Sequence, residues 1–120
     1  MRKAVLLGLA GLASTPVHAQ QWTHLATVDE QWEIYLDPSA VTRDGPAARF
    51  WIRRDWVRGR GNGHYYLSQG EIDCAARTAR ILITVTYRSD GSEVSRDTQP
   101  VPADPIAPNT LFDQIGERVC

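Results

Sequence analysis

Apolar and polar residues alternate with a period of two through the middle of the chain, and this pattern constrains the fold more than any other feature. In residues 47–57, Phe50 and Ile52 alternate with Arg49, Trp51 and Arg53. Successive side chains of a strand point to opposite faces, so Phe50 and Ile52 are predicted to face a core while the others project away from it. The pattern favours an antiparallel sheet with one buried face.

Other segments with the same character are predicted to complete this sheet. They cover residues 22–28, 31–37, 64–74, 77–88 and 93–98. Asp29-Glu30 and Ser89-Asp90-Gly91-Ser92 lie where tight hairpin turns are expected. We therefore predict an α+β fold with a single antiparallel sheet of about five to six strands.

Three details of the predicted strands are less regular. The adjacent Arg53 and Arg54 interrupt the alternation, which favours a bulge there. In the run 77–88 one face is predicted to carry four residues, which are Ile81, Ile83, Val85 and Tyr87. Four prolines between residues 100 and 108 do not suit regular ladders, so this stretch is predicted to be an extended surface connector.

One helix is predicted at the end of the chain. Thr110 and Asp113 have the spacing of a helix N-terminus, where the threonine caps the amide of residue 113 and the carboxylate favours the positive helix end. An apolar stripe follows at helical spacing, formed by Leu111, Phe112, Ile115 and Val119. The stripe must be buried, so we expect the helix to pack on the sheet.

Residues 1–19 have the features of a secretory signal peptide. Met1-Arg2-Lys3 is basic, residues 4–13 are apolar, and Val17-His18-Ala19 is a small-residue cleavage site. The apolar run is too short to span a bilayer. Cleavage between Ala19 and Gln20 would leave residues 20–120 as one domain, periplasmic or secreted.

The predicted mature chain has little affinity for nucleic acids or membranes. Arg2 and Lys3 leave with the signal peptide, so 11 Arg stand against 14 Asp and Glu and the net charge falls from −1 to −3. An acidic chain of this kind is not attracted to polyanions as a whole. A lipid anchor needs a cysteine at the cleavage point, and the first cysteine is Cys74. We expect no nucleic-acid partner, no membrane insertion and no lipid anchor.

The two cysteines, Cys74 and Cys120, are predicted to form one structural disulfide in an exported domain of this size. The alternative is a reactive thiol pair, for which a Cys-X-X-Cys spacing would be typical. Ile72 and Cys74 share a strand face, so a bridge to Cys120 would hold the helix end against that face.

No residue pattern indicates an enzyme. Only His24 and His64 remain after cleavage, neither has a second metal ligand at the usual spacing, and no cofactor is expected. Ser68 shares a strand face with His64 while Asp73 points away, so these three do not read as a catalytic triad. The carboxylate pairs Asp29-Glu30 and Glu71/Asp73 would suit glycosidase chemistry, but positions in turns and at strand edges explain them equally well. Gly59–Gly63 lacks the Lys-Ser/Thr and the helix of a phosphate loop.

The strongest candidate for a binding surface is an arginine and tryptophan cluster. Its residues are Arg49, Trp51, Arg53, Arg54, Trp56 and Arg58, with Arg60 close by. Such residues are enriched at interface centres, and a protein or a polyanionic ligand would suit them. Two structural explanations compete: the arginines pair with acids and cover the tryptophans with their stems, or the connector 100–108 lies over Trp51.

Several segments resemble the surface-adhesin protein E family. They are Trp22, Tyr35-Leu36-Asp37 followed by Ser39, Phe50-Trp51-Ile52, Tyr65-Tyr66-Leu67-Ser68, Glu71-Ile72-Asp73-Cys74, Pro108-Asn109-Thr110 and Glu117-Arg118-Val119-Cys120. The resemblance extends over nearly all of residues 20–120. It implies an antiparallel sheet with a C-terminal helix and a bridged cysteine pair.

The resemblance also implies a function. The named member of the family is an adhesin for host matrix and serum proteins. The resemblance also implies that this chain can form a homodimer. We therefore expect an exported, non-enzymatic binding module with an unidentified ligand. Two alternatives remain open, an envelope structural or assembly factor in the periplasm and an inhibitor of a secreted hydrolase such as lysozyme.

Overall fold

The computed structural model describes residues 20–120, which form an eight-stranded sheet and one α-helix. The predicted signal peptide, residues 1–19, lies outside the described residues. The elements are β1 (Thr23–Val28), β2 (Trp32–Leu36), β3 (Thr42–Asp44), β4 (Ala47–Trp56), β5 (Tyr65–Asp73), β6 (Thr78–Tyr87), β7 (Glu93–Asp97), β8 (Asp104–Pro105) and α1 (Leu111–Val119). A short 3-10 turn, Pro38–Ala40, separates β2 from β3.

Six strands follow one another in the order β1-β2-β4-β5-β6-β7, and every pair is antiparallel. The strands β3 and β8 pair with the first residues of β4 and β6. This confirms the antiparallel sheet with a C-terminal helix, but the predicted count of five to six strands is too low. The two extra strands have three and two residues, too few to show an alternating pattern.

The proline-rich connector takes part in the sheet, which the sequence did not predict. Pro105 pairs with Thr78 of β6, and the amide of Ile106 donates to the carbonyl of Arg77. A proline is tolerated there because β8 is a two-residue edge strand whose pairing needs few amides. The connector therefore runs beside β6 and does not cross β4.

The irregular positions of the strands also differ from the prediction. Arg53 and Arg54 pair in regular register with Tyr35 and Ile34, so the bulge expected at this arginine pair is wrong. The alternation of the strand continues through this arginine pair. Arg54 lies on the same side as the apolar residues Phe50 and Ile52, where its guanidinium packs against aromatic rings.

A bulge lies instead opposite β5, at the step from Gln69 to Gly70. Gly70 pairs with Ile81 and Gln69 with Ile83, so one residue of β6 is extra. Ile81 therefore faces the side of Gly70, and the prediction that it shares a face with Ile83 is wrong.

The core lies between the helix and one face of the sheet, which we call the helix face. Its buried members are Leu36, Ala48, Phe50, Ile52, Ile72, Ala79, Ile115 and Val119. The Phe50 ring lies directly over Gly70 of the neighbouring strand, where a Cβ would stand 2.4 Å from the ring. The opposite side of the sheet, the far face, carries Arg49, Trp51 and Arg53, as the alternation predicts.

The helix is fixed at both ends. At its start the Thr110 side chain accepts the amide of Asp113, as predicted, and the Asp113 carboxylate bonds the amide of Asn109 and the Arg77 guanidinium. At its end a disulfide joins Cys120 to Cys74, with Cα atoms 5.8 Å apart. The predicted bridge is thus present, and no cysteine of the described chain is free.

Candidate binding surface at the end of the sheet

The structure divides the predicted binding cluster between the two sides of the sheet. Arg49, Trp51 and Arg53 lie on the far face, whereas Arg54 and Trp56 lie on the helix face. Arg58 belongs to the loop that joins β4 to β5. The six residues therefore do not form one continuous patch.

The far-face arginines are already paired with acidic side chains. Arg49 Nε lies 2.9 Å from Glu71, which also binds Arg80 at 3.0 Å. The hydrogen bond from Arg49, together with that from Arg80, holds the pKa of Glu71 below its usual value. Arg53 bonds Asp55 at 2.8 Å and lies over the ring of Tyr65. This face fits the explanation in which arginines neutralise nearby acids.

The far face nevertheless has aromatic surface near these pairs. Tyr65 stacks on Tyr87, and a shallow depression is lined by Trp22, Tyr35, Arg53 and Asp55. Trp51 is half-buried, with Gln69 of β5 beside it in the ladder. The connector that was considered as its cover lies beyond β5, against β6.

On the helix face, beyond the end of the core, four side chains form a layered group that we call the aromatic stack. Its members are Trp32, Arg54, Trp56 and Tyr66, from strands β2, β4 and β5. The rings of Trp32 and Trp56 stack with centroids 3.8 Å apart. Trp32 and Tyr66 meet edge to face, at 5.6 Å and 75°. The pairing of neighbouring strands brings these residues together, since Trp32 lies opposite Trp56 and Arg54 opposite Tyr66.

Arg54 occupies the angle between two of these rings. Its Cζ lies 4.3 Å from the centroid of Trp32 and 4.5 Å from that of Tyr66. Guanidinium groups are attracted to aromatic faces in this way. Burial lowers the pKa of Arg54 from its usual value, and Tyr66 opposes that shift. Within residues 20–120 no carboxylate forms an ion pair with it.

The loop after β4 closes the other side of the stack. Gly61 lies against Trp56, and a Cβ at Gly61 would stand only 2.0 Å from the indole. Asn62 accepts the indole N–H of Trp56 at 3.2 Å and the backbone N–H of His64. Glycine is required because φ is +71° and the ring occupies the side-chain space. Trp56 is thus held between Trp32 and the loop.

The same loop carries exposed positive charge. Arg58 and Arg60 are exposed and, with Arg53 and His64, line an open groove of about 290 Å³ at the end of the sheet. The groove has one acidic residue in its lining, Asp55, which Arg53 already binds. The loop therefore connects the two faces and adds cations next to the aromatic stack.

The side chains considered for catalysis have structural partners. Ser68 bonds Thr84, Asp73 accepts the amides of Ala75 and Ala76, and the ring of His64 lies near Asn62. In the described part of the chain no three His, Cys, Asp or Glu side chains are grouped to hold a metal ion.

Sequence reasoning missed two members of the stack, Trp32 and Tyr66, and the role of Gly61. Strand register brings Trp32 and Tyr66 beside Arg54 from the neighbouring strands, and the path of the loop brings Gly61 against Trp56. A signal existed for Trp32, because it lies two and four residues before Ile34 and Leu36, a spacing that places all three on one face of a strand.

Comparison with known proteins gives one positive result. The family described as Surface-adhesin protein E matches residues 22–120. Neither the curated proteins nor the solved structures contain a match to the chain. Among residues 20–120, the helix present is too short and too polar to cross a membrane. Because the family match extends over most of the chain and includes every strand, the helix and both bridged cysteines, the chain belongs to the surface-adhesin protein E family.

Proposed function

We propose that this protein is an exported, non-enzymatic binding module that captures a protein partner in the manner of a surface adhesin. The observation that carries the proposal is the family match over residues 22–120. The disulfide supports export, because such bonds persist in oxidising compartments. The signal-like residues 1–19 and cleavage before Gln20 belong to the same proposal, with a periplasmic or secreted product.

We place the binding surface at the aromatic stack and the adjoining loop, with Arg58 and Arg60 at its rim. Tryptophan, tyrosine and arginine are enriched among the residues that supply most of the binding energy at protein interfaces, chiefly near the interface centre, where surrounding contacts exclude water. The stack has this composition and is rigid, because strand pairing and Gly61 fix its rings. The far-face set of Arg49, Trp51 and Arg53 is the second candidate surface, favoured less because its arginines are ion-paired.

The class of partner follows from how the charges are distributed. A polyanionic chain is best held by several unpaired cations on one face, and here the arginines divide between two faces. A protein surface needs only a few anchors at its centre. A second copy of this chain, an envelope assembly partner and a secreted hydrolase are all proteins, and the same surface would serve to bind each of them.

The experiment separates these partners with one preparation. Oxidised residues 20–120 carrying an N-terminal biotin are immobilised and presented with host matrix and serum proteins, with periplasmic extract, and with lysozyme in an activity assay. An adhesin captures a matrix or serum component and leaves lysozyme activity unchanged. Albumin-coated surfaces are the control for non-specific adsorption.

Each other result points away from an adhesin. Capture from periplasmic extract alone indicates an assembly factor, and loss of lysozyme activity indicates an inhibitor. Sedimentation of the free protein measures homodimer formation separately. The absence of capture from every source contradicts the proposed function. Intact mass of the exported product checks whether it begins at Gln20, and a product that keeps Met1 to Ala19 contradicts the export step.

A further inference from the structure

Six of the eleven arginines in residues 20–120 form no ion pair with a carboxylate, and Arg54 is the one among these six that is not exposed. The other five bind a carboxylate, namely Arg49, Arg53, Arg77, Arg80 and Arg96. Arg54 is more buried than an exposed loop arginine, yet within residues 20–120 its contacts are with the aromatic rings of Trp32 and Tyr66. A guanidinium has five N–H donors in one plane, and a half-buried one gains most from an acceptor.

We propose that Arg54 binds the carboxylate of one acidic side chain, flanked by apolar residues, in a protein partner. The inference rests on the proposed function, because it names the chemistry by which the same surface recognises its partner. The two oxygens of a carboxylate match the fork of the guanidinium and form two parallel hydrogen bonds. The rings fix the orientation of Arg54, so little side-chain freedom is lost on binding.

The surroundings of Arg54 favour a lone carboxylate between apolar side chains. Trp32, Trp56 and Tyr66 offer apolar surface beside the guanidinium. Water is partly excluded there, which strengthens a charged hydrogen bond relative to one at an open surface. An acidic residue flanked by apolar residues would satisfy both parts of the site.

A polyanion fits this site less well than a protein segment with one acidic side chain between apolar residues. The next cations, Arg58 and Arg60, are exposed in the loop. The start of that loop adjoins the acidic turn Asp29-Glu30, because the backbone N–H of Val57 donates to the carbonyl of Gln31. Residues 20–120 also have a net charge of −3, which repels a long anionic chain. The single positive charge of Arg54, its planar guanidinium and the apolar rings beside it therefore favour one side-chain carboxylate over a polyanion.

The test uses oxidised residues 20–120 and a blocked pentapeptide with one glutamate between two leucines. Binding is followed by NMR through the Nε–H signal of Arg54 and the indole N–H signals. A second peptide replaces the glutamate by glutamine, and a heparin oligosaccharide represents a polyanion. The variants are Arg54→Gln and Arg54→Lys, and Arg118→Gln is the matched control, because it removes the same charge from an exposed helix position.

We expect the glutamate peptide to shift the Arg54 signal and to bind at least about tenfold more tightly than the glutamine peptide. Arg54→Gln should lose this preference, Arg54→Lys should retain only part of it because lysine lacks the planar fork, and Arg118→Gln should behave as the unmodified protein. Arg54→Lys keeps the charge and the stem, so it tests the proposal even if Arg54→Gln folds poorly.

Three results would overturn the inference. They are no shift with the glutamate peptide up to about 10 mM, equal binding of both peptides, and tighter Arg54-dependent binding of heparin than of the peptide. Failure here is separable from failure of the proposed function. If Arg54→Gln still captures the partner of the unmodified protein, the binding function stands and the carboxylate site is wrong.

Discussion

Single residues without side chains determine two close contacts in this protein. Gly70 lets the Phe50 ring cross the neighbouring strand, and Gly61 lets the loop lie against Trp56. The alternation of apolar residues predicts neither contact, because a glycine has no side chain and so adds nothing to that pattern. The register of β4 with β5 is what places Gly70 opposite Phe50.

Gly70→Ala and Gly116→Ala should change stability in opposite directions. A Cβ at Gly70 would stand 2.4 Å from Phe50, which is fully buried and cannot move aside, so we expect a loss of about 1–3 kcal/mol. A Cβ at Gly116 would meet Arg77 and Ile72 only at 3.8 and 3.9 Å, and alanine favours the helix by about 0.5–1 kcal/mol. Urea unfolding measures both, and a gain for Gly70→Ala would show that the ring does not cross the strand.

At the scale of elements, the helix is the part whose attachment can be tested most directly. Its apolar stripe places Ile115 and Val119 in the core, while its first turn is held by charge and its last residue by a covalent bond. Capping, stripe and disulfide were all predictable, because each depends on residues that are close together in sequence or on a cysteine pair. The partner Arg77 was not, because the turn between β5 and β6 brings it there.

The charge at the helix start should make stability sensitive to acid. The hydrogen bond from the backbone N–H of Asn109, and next that from the side chain of Arg77, hold the pKa of Asp113 below its usual value. A group whose pKa is depressed by folding stabilises the protein above its unfolded pKa, and this contribution disappears as pH falls through the folded pKa. Asp113→Asn should therefore be less stable than the unmodified protein near neutral pH, with the difference closing below about pH 4.

Thermal melts at a series of pH values measure this difference. Glu71 also has a lowered pKa, but it is present in both proteins and its effect cancels in the comparison. A difference that stays constant down to about pH 2 would show that the ionised carboxylate contributes nothing to the helix start.

The disulfide should contribute a larger part of the stability than the charges do. Cys74 and Cys120 are 46 residues apart, and the bridge holds the helix end beside Ile72 and Val119 of the core. Cys120→Ser should lower the free energy of unfolding by about 2–5 kcal/mol. The double variant Cys74→Ser/Cys120→Ser controls for the free thiol and should show the same loss in urea. A loss under about 1 kcal/mol would mean that packing alone holds the helix.

At the scale of the whole molecule, the fold was more predictable than the binding surface. The alternation of apolar residues and the turn residues predict the sheet, because both are local signals that recur along the chain. The surface depends on which strands are neighbours and on their register. The sequence placed Arg53 and Arg54 together as neighbours in the chain, and the regular register of β4 instead sends them to opposite faces. A bulge between them would have changed that outcome.

Two adjacent arginines therefore make a matched test of which face binds the partner. Arg53→Gln and Arg54→Gln remove the same charge from consecutive positions of one strand, so composition and net charge stay identical between them. Arg53 is bound to Asp55 at 2.8 Å, whereas Arg54 has no carboxylate partner within residues 20–120. We expect Arg54→Gln to weaken capture of the partner at least about tenfold and Arg53→Gln to leave it within about twofold. Surface-based binding assays on both variants, after matching their thermal stability, give the comparison. The reverse order would move the binding surface to the far face, where Trp51 and Tyr65 would become its aromatic anchors.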